Sequence, residues 1–290
     1  MRARQRPGFE SINMQSSTDD SHYLHGTSPE EQDRLSKLND MINGRSLAEM
    51  ALRPGETVLD VGSGLGQLTR AIARQVKAKV VGVERSAEQL GEAERFAAQA
   101  NESTLVDFRM GEAGDLPLRD NEWKTFDVAH TRFVLEHLRD PLTAVRQMIR
   151  ALKPGGRIIL EDDGHDTMRF FPESPGINRL WQSYIRTYDR VGNDPLIGHR
   201  LVSILHEADA IPVRNSWLFF GACGGQPELL KTCVENLISI MEGVREPILS
   251  LGEVDASAFE HVISEFRKWG DRPDAAIWYA ISWAEGRTRG

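Results

Sequence analysis

The run Thr57-Val58-Leu59-Asp60-Val61-Gly62-Ser63-Gly64-Leu65-Gly66-Gln67-Leu68 limits what this chain can fold into more than any other stretch. Thr57 to Val61 form a short, β-branched, apolar run, bounded by Pro54-Gly55 before and by glycines after. A run without polar alternation is the pattern of a strand buried on both faces of a parallel sheet. Leu68, Ala71, Ile72 and Ala73 then recur at helical spacing. Strand, glycine turn and helix in that order build a nucleotide-type turn. Its backbone lets a ligand approach closely, and its N–H groups point at that ligand from a helix N-terminus.

Spacing narrows the ligand. A dinucleotide fingerprint needs G-x-G-x-x-G, which would put the third glycine at Gln67. The chain has G-x-G-x-G instead, with Asp60 two residues before the first glycine. A carboxylate there repels a pyrophosphate and suits a cationic ligand. Lys79-Val80-Val81-Gly82-Val83-Glu84 predicts a second strand ending in an acid, 18 residues past Gly66. Val106 to Arg109 predicts a third, followed by the turn Gly111 to Leu118. A fourth, Phe126 to His130, runs into Thr131-Arg132-Phe133-Val134-Leu135-Glu136-His137-Leu138. Leu152-Lys153-Pro154-Gly155-Gly156 then leads into a fifth, Arg157 to Glu161. Between them lie helices from Glu88 to Gln99 and from Asp140-Pro141 onward, the latter with Leu142, Val145, Met148, Ile149 and Leu152 facing inward. Right-handed connections make such a sheet doubly wound, with its ligand crevice off the carboxyl ends of the strands.

These elements, in this order from Glu56 to about Asp163, resemble the class I S-adenosylmethionine-dependent methyltransferases. The resemblance is to the small-molecule type that includes quinone-biosynthesis and natural-product enzymes. It implies an α/β, Rossmann-like, doubly wound, seven-stranded and mostly parallel sheet. An N-terminal helical lid and helical insertions after strand five and between strands six and seven complete the expected fold. It implies S-adenosyl-L-methionine as cofactor, held at the first motif by Asp60, Gly62, Ser63, Gly64, Gly66 and Gln67. Glu84 would accept from the ribose hydroxyls, with Arg85 beside it. Glu112 and Ala113 would form the adenine turn, where the family usually has Asp at the first of the two. His130, Thr131 and Arg132, at the end of strand four, would also contact the cofactor, and His137 matches a family histidine with a structural role. Similar enzymes fold an N-terminal segment over the cofactor mouth, which adds Tyr23, His25 and Arg34 as pocket candidates. Packing and capping alone stay open for each of these three.

Four segments are expected: a flexible tail (1–20), the lid (21–50), the cofactor-binding βα half (51–165) and a substrate-side half (166–290). In the lid, Thr27 or Ser28 with Pro29 and Glu31 mark a helix start, and Leu35, Leu38, Met41 and Ile42 share one face. Beyond strand five, an amphipathic helix is predicted over Ile177 to about Val191, with Leu180, Trp181, Tyr184 and Tyr188. A second spans Ile197 to Ala208 and leads to an aromatic strand, Ile211 to Phe220. Helices over Glu228 to Met241 and Ala256 to Trp269 precede the last strand, Ala276 to Ala284. Roughly fifty residues thus separate the last two strands, far beyond an ordinary loop of ~2–6 residues. The insertion is expected to cap the substrate cleft or to make a homodimer contact through residues 226–270.

Phe133, Asp162, Phe170, Trp181 and Tyr184 are the candidate acceptor contacts, and the aromatic content, with Phe171, Trp217 and Phe219, points to an apolar or aromatic small molecule. His165 is the candidate general base, with His130 and His25 as competitors and a purely positional mechanism as the alternative to all three. Glu161-Asp162-Asp163-Gly164-His165-Asp166 could bind a cation, but successive strand residues alternate in direction and few can converge. Solvated turn acids and no metal are the expectation. A formal net charge of −8 favours no nucleic-acid partner. No apolar run approaches ~18 residues, so no membrane span is expected. The N-terminus has no secretory pattern and the two cysteines no framework spacing, which makes the expected location cytoplasmic. Two other functions stay open: different chemistry on the same cofactor or its decarboxylated form, and a non-catalytic binding module.

Overall fold

β1 (Val58–Val61) is buried along its whole length, as its unbroken apolar run requires, and lies near the middle of the sheet. The computed structural model describes Asn39 and residues 42–289, so Tyr23, His25, Arg34 and the cap at Thr27 and Ser28 lie outside the described residues. β2 (Val80–Glu84), β3 (Val106–Met110), β4 (Phe126–Arg132) and β5 (Leu152–Asp163) join β1 in parallel, in the order β3-β2-β1-β4-β5. β6 (Arg169–Phe171), β7 (Ile211–Cys223) and β8 (Ala276–Arg287) complete the sheet, all antiparallel to their neighbours. The anticipated strands six and seven are therefore β7 and β8. The eighth strand is β6. β7 occupies one edge of β8 from end to end, so β5 and β6 share the other edge, at Ile281–Arg287 and Ala276–Trp278 respectively.

The helices are α1 (described over residues 42–50), α2 (Gln67–Val76), α3 (Ala87–Gln99), α4 (Pro141–Ala151), α5 (Ile177–Val191), α6 (Leu201–Glu207), α7 (Pro227–Gly243), α8 (Arg245–Leu249) and α9 (Ala256–Trp269). Several start where side-chain oxygens take orphan N–H groups. Ser86 accepts from Gln89 N at 3.3 Å, Asp140 from Thr143 N at 3.0 Å with Pro141 next, and Asp255 from Ala258 N at 2.8 Å. Strand alternation sends side chains to two cores. Leu59, Ala129 and Leu160 meet Val145, Met148, Leu201 and Leu205 on one face of the sheet. Val58, Val128, Ile159 and Trp283 meet Ile42, Met50 and Ile72 on the other, and that core continues without a break into the insertion. Leu230, Leu237, Phe259, Phe266 and Trp269 belong to it together with the buried stripe of α5, namely Leu180, Trp181, Tyr184 and Tyr188. The long connection between β7 and β8 is thus a helical layer, with α7 packed against β7 and β8. No helix among the described residues is long and apolar enough to cross a membrane.

Candidate active site

Three glycines turn the chain at the end of β1, and all adopt positive φ, at 77° for Gly62, 53° for Gly64 and 69° for Gly66. Their reasons differ. A Cβ on Gly62 would stand 2.1 Å from Val134 Cγ2, and one on Gly66 would stand 2.4 Å from Phe108 Cζ. At Gly64 the nearest heavy atom would be Gln89 Oε1 at 3.5 Å. Gly64 therefore borders open space, a cavity of about 240 Å³ off the carboxyl ends of the strands. Asp60, Gly62, Ser63, Gln67, Glu84, Arg85, Glu112, Ala113, His130 and Arg132, all candidates by sequence, border the same cavity. Two expected residues do not. Gly66 caps α2 and packs against Phe108, and the pleat of β4 turns the Thr131 hydroxyl away to Val61 O at 2.8 Å.

Glu84 holds this turn together. Its Oε2 accepts from Gly64 N at 3.0 Å and its Oε1 from Ser86 N at 2.8 Å. Burial keeps its pKa above the ordinary carboxylate value even so, because desolvation outweighs the N–H groups that favour the charge. Asp60 accepts from Thr69 Oγ1 at 2.6 Å with one oxygen and lies 2.8 Å from His130 Nδ1 with the other. His130 Nε2 is 3.0 Å from Glu161 Oε1, and the second Glu161 oxygen accepts from Ser46. Arg132 donates to Ser46 Oγ at 3.1 Å and to the side-chain oxygens of Asn39 and Asn43 at 2.6 and 2.7 Å. A chain of buried polar groups thus ties α1 and Asn39 to the ends of β1, β4 and β5.

His130 has neither ring nitrogen open to an acceptor's proton. Burial opposes its charged form, but hydrogen bonds and charge from Asp60 and Glu161 outweigh this and push its pKa up to about 9. Both ring nitrogens are occupied by these carboxylates, which favour the protonated imidazole. Because the folded value lies above the ordinary 6.5, its contribution to stability is complete below about pH 6.5 and is lost as pH rises through about 9. The contribution is on the order of a few kcal/mol. The melting temperature is therefore expected to fall between pH 7 and 9.5, and His130→Asn should melt lower at pH 7 with that fall flattened. A parent protein as stable at pH 9.5 as at pH 7 would contradict the assignment.

The acidic run that closes β5 is not a solvated turn. Glu161 and Asp162 are fully buried, and only Asp166 is out in solvent, paired with His199 at 3.0 Å. Asp162 accepts from Leu135 N at 2.8 Å and from Asp163 N at 3.0 Å, and its pKa is raised well above the carboxylate range by burial and by nearby Glu136 and Asp163. It anchors the turn after β4 and, though a candidate acceptor contact by sequence, borders neither cavity. His165 does reach the cavity. Its Nε2 lies 3.0 Å from Glu136 Oε2 and 3.2 Å from the Tyr188 hydroxyl. Its Nδ1 has more distant neighbours, the Tyr279 hydroxyl at 3.4 Å and Asp163 Oδ2 at 3.9 Å. Rings of Tyr188, Tyr184 and Trp181 stand 5.2, 5.3 and 5.7 Å from the imidazole. Burial would lower its pKa, but Glu136 above all, then Asp163 and Asp166, raise it. Glu136 was not a sequence candidate. It lies in a one-turn 3₁₀ segment, Leu135–His137, and only the tertiary fold brings it onto His165. The ligand atoms of Glu136, Asp163 and His165 lie within 4.8 Å of one another, close enough to share a cation. The Nε2 contact with Glu136 is equally that of an imidazole oriented by a carboxylate.

A second, smaller cavity of about 50 Å³ adjoins the first, and Phe133, Asp163, His165 and Ile240 border both. Its wall is mainly apolar, with Met168 and Trp181, then Phe220 and Ile277 from the sheet and Leu237 from α7, while Asn236 and Tyr279 join Asp163 and His165 as its polar groups. Tyr184 borders the main cavity and Trp181 the annex. Phe133, at the junction, holds a left-handed φ of 56°, which costs a non-glycine residue and clusters at functional sites. Phe170 is placed elsewhere, with its ring edge-on to Phe266 and Trp269 at 5.6 and 6.1 Å in the core. Trp217 and Phe219 are exposed on the outside of β7 and take no part in the cavity.

Residues 59–160 match the family model described as a methyltransferase domain. The chain is 32% identical over 142 residues to a demethylmenaquinone methyltransferase of Lactiplantibacillus plantarum, covering 48% of this chain and 56% of that one. Like that case, the chain spans about half the length of the first curated relatives it matches. A broader match, 26% over 251 residues, covers 86% of this chain and 85% of the 27-O-demethylrifamycin SV methyltransferase of Amycolatopsis mediterranei. Among solved structures, one of a Bacillus halodurans protein described as a methyltransferase superposes with a TM-score of 0.58 at 18% identity, over 86% of this chain and 99% of that one. The chain carries a class I S-adenosylmethionine-dependent methyltransferase domain. The residues of this methyltransferase domain fit its cofactor, S-adenosyl-L-methionine. Gly64 leaves space for a ligand where any other residue would project into it, and Asp60 and Glu84 border that space with carboxylates suited to a cation and to hydroxyl donors. Glu84→Ala is expected to weaken cofactor binding by about 1.5–3 kcal/mol, the worth of hydrogen bonds to a charged acceptor. Equilibrium dialysis of the variant against the parent measures it, and equal affinity would remove Glu84 from the site.

Proposed function

We propose that this chain transfers the methyl group of S-adenosylmethionine to a hydroxyl of a small, apolar or aromatic acceptor. One observation carries the reading: His165, oriented by Glu136, stands where the cofactor cavity and the apolar annex meet. The cofactor, when bound, supplies a methyl carbon on a sulfonium. The chain's own task is to hold an acceptor oxygen in line at near-attack distance, roughly 3–3.5 Å. Trp181, Phe133 and the annex wall take up the acceptor's apolar body and exclude water. With Nε2–H donating to Glu136, neutral His165 presents Nδ1 to the hydroxyl and takes its proton as the oxygen attacks. Glu136 and Asp163 then stabilise the imidazolium. The relatives named for demethylrifamycin and demethylmenaquinone support a small-molecule acceptor. The net charge of −8 argues against nucleic acid. Cys223 and Cys233 form no disulfide, which supports a cytoplasmic location.

Incubating the protein and S-adenosylmethionine with fractionated metabolite extracts, followed by mass spectrometry, tests the reading. One or more apolar metabolites should gain the mass of a CH₂ group while S-adenosylhomocysteine accumulates. Cofactor binding with no methylated product in any fraction would contradict methyl transfer and favour a binding module. Conversion of the cofactor to another product would instead assign different chemistry to the same fold.

A further inference from the structure

Arg132, at the end of β4, is the only lysine or arginine buried among the described residues, with 9% of its surface exposed. A guanidinium stays charged at any ordinary pH, so burying one is costly unless an anion compensates it. The other well-covered arginines have that anion. Arg70, Arg109 and Arg157 reach Glu102, Glu122 and Glu285 at 3.0, 2.6 and 2.8 Å. Arg132 makes no ion pair with a described residue. Its partners are neutral oxygens of Ser46, Asn39 and Asn43, which take three of its five N–H groups. Glu161, its register neighbour on β5, is turned to His130 and Ser46, and Asp60 is turned to His130 and Thr69. Burial accordingly lowers the pKa of Arg132 more than Glu161, Asp60 and Asp163 raise it. The guanidinium borders the cofactor cavity, so the direction left for an anion is the cavity itself.

We propose that Arg132 binds the α-carboxylate of the cofactor and thereby selects S-adenosylmethionine over its decarboxylated form. That carboxylate is the cofactor's one anionic group, and it shares a carbon with an ammonium. The cavity offers the matching pair. Asp60 and Arg132 both border it, and the Asp60 carboxylate favours the charge of Arg132 through space. Charge-assisted bonds from a guanidinium to a carboxylate are the strong kind, and their geometry is specific. A ligand without the carboxylate leaves the buried cation uncompensated, so it is rejected and not merely held less well. Arg132 thus bears on which chemistry the fold performs, because aminopropyl transfer takes the decarboxylated cofactor and methyl transfer the intact one. The proposal rests on the cofactor assignment and is independent of the acceptor.

Isothermal titration of S-adenosylmethionine and of decarboxylated S-adenosylmethionine into the full chain tests it, with Arg132→Gln and Arg132→Lys beside the parent. The parent should prefer the carboxylated ligand by roughly 10–100-fold. Arg132→Gln should bring that ratio close to one, by losing affinity for S-adenosylmethionine and not for the decarboxylated ligand. Arg132→Lys keeps the charge and should hold an intermediate ratio. It also serves as the test should the glutamine variant melt below the temperature of titration. A parent that binds both ligands alike would overturn the proposal. So would folded variants that keep the parent's ratio, with affinity unchanged or lowered equally for both, the mark of a residue that only ties α1 to β4. In both cases binding of S-adenosylmethionine by the parent leaves the cofactor assignment standing. A parent that prefers the decarboxylated ligand would overturn this proposal and the methyl-transfer reading together.

Discussion

Gly64→Val is expected to abolish binding of S-adenosylmethionine while the fold persists. Gly64 adopts φ 53° in a turn that borders the main cavity, and the nearest atom to an added Cβ is 3.5 Å away. A β-branched residue meets two penalties there. Left-handed φ is strained for it, so the turn would shift and break the Gly64 N–H bond to Glu84 that fixes the acid's position. Its methyl groups would also enter the space the backbone leaves for a ligand. Affinity should fall by at least 10²-fold. Gly62→Val and Gly66→Val fail differently. Their side chains would strike Val134 and Phe108, so these variants should lose stability as well as binding. Thermal melts of the three variants beside their cofactor affinities separate the two kinds of damage. Retention of parent affinity by Gly64→Val would place the ligand elsewhere.

His165→Ala is expected to lower the single-turnover rate of methyl transfer by roughly 10²–10⁴-fold, the range of general-base catalysis. The pH profile carries the more specific signature. A base must be neutral to act, and the surroundings of His165 raise its pKa above the ordinary 6.5. The parent rate should therefore climb with pH through an acidic limb centred above 6.5, and the limb should vanish in the alanine variant. Glu136→Gln keeps the shape of the orienting group but removes the charge that raises His165 most. Its limb should move to lower pH, with a smaller rate loss. Cofactor affinity should stay within a few-fold in both variants. If His165→Ala stays within a few-fold of the parent across the profile, the mechanism is positional and no base acts here.

The parts of this molecule legible in its sequence are those set by local rules. An apolar run between glycines places β1, the pattern of glycines places the turn, and strand spacing brings Glu84 beside Gly64. Helical periodicity alone places Leu180, Trp181, Tyr184 and Tyr188 on the buried stripe of α5. Partnership across the fold was not legible. Glu161 and Asp162 are adjacent acids that composition assigns to solvent, yet both are buried because Ser46, His130 and the Leu135 N–H reach them from distant elements. The same holds for Glu136, whose significance depends on Asp163 and His165 arriving from the next strand. Aromatic content misled in a different way. Phe170, Trp217 and Phe219 sit near the acceptor elements in sequence, but strand alternation sends one into the core and two to the outside.

The central claim is that the cleft bordered by Asp60, Gly64 and Glu84 holds S-adenosylmethionine. Isothermal titration of S-adenosylmethionine into the full chain, beside Glu84→Ala and Gly64→Val, tests it most directly. One site per chain is predicted, with affinity reduced by roughly 10–150-fold in Glu84→Ala, the equivalent of about 1.5–3 kcal/mol, and no measurable heat in Gly64→Val. Absence of binding by the parent protein, or three indistinguishable isotherms, would contradict the account.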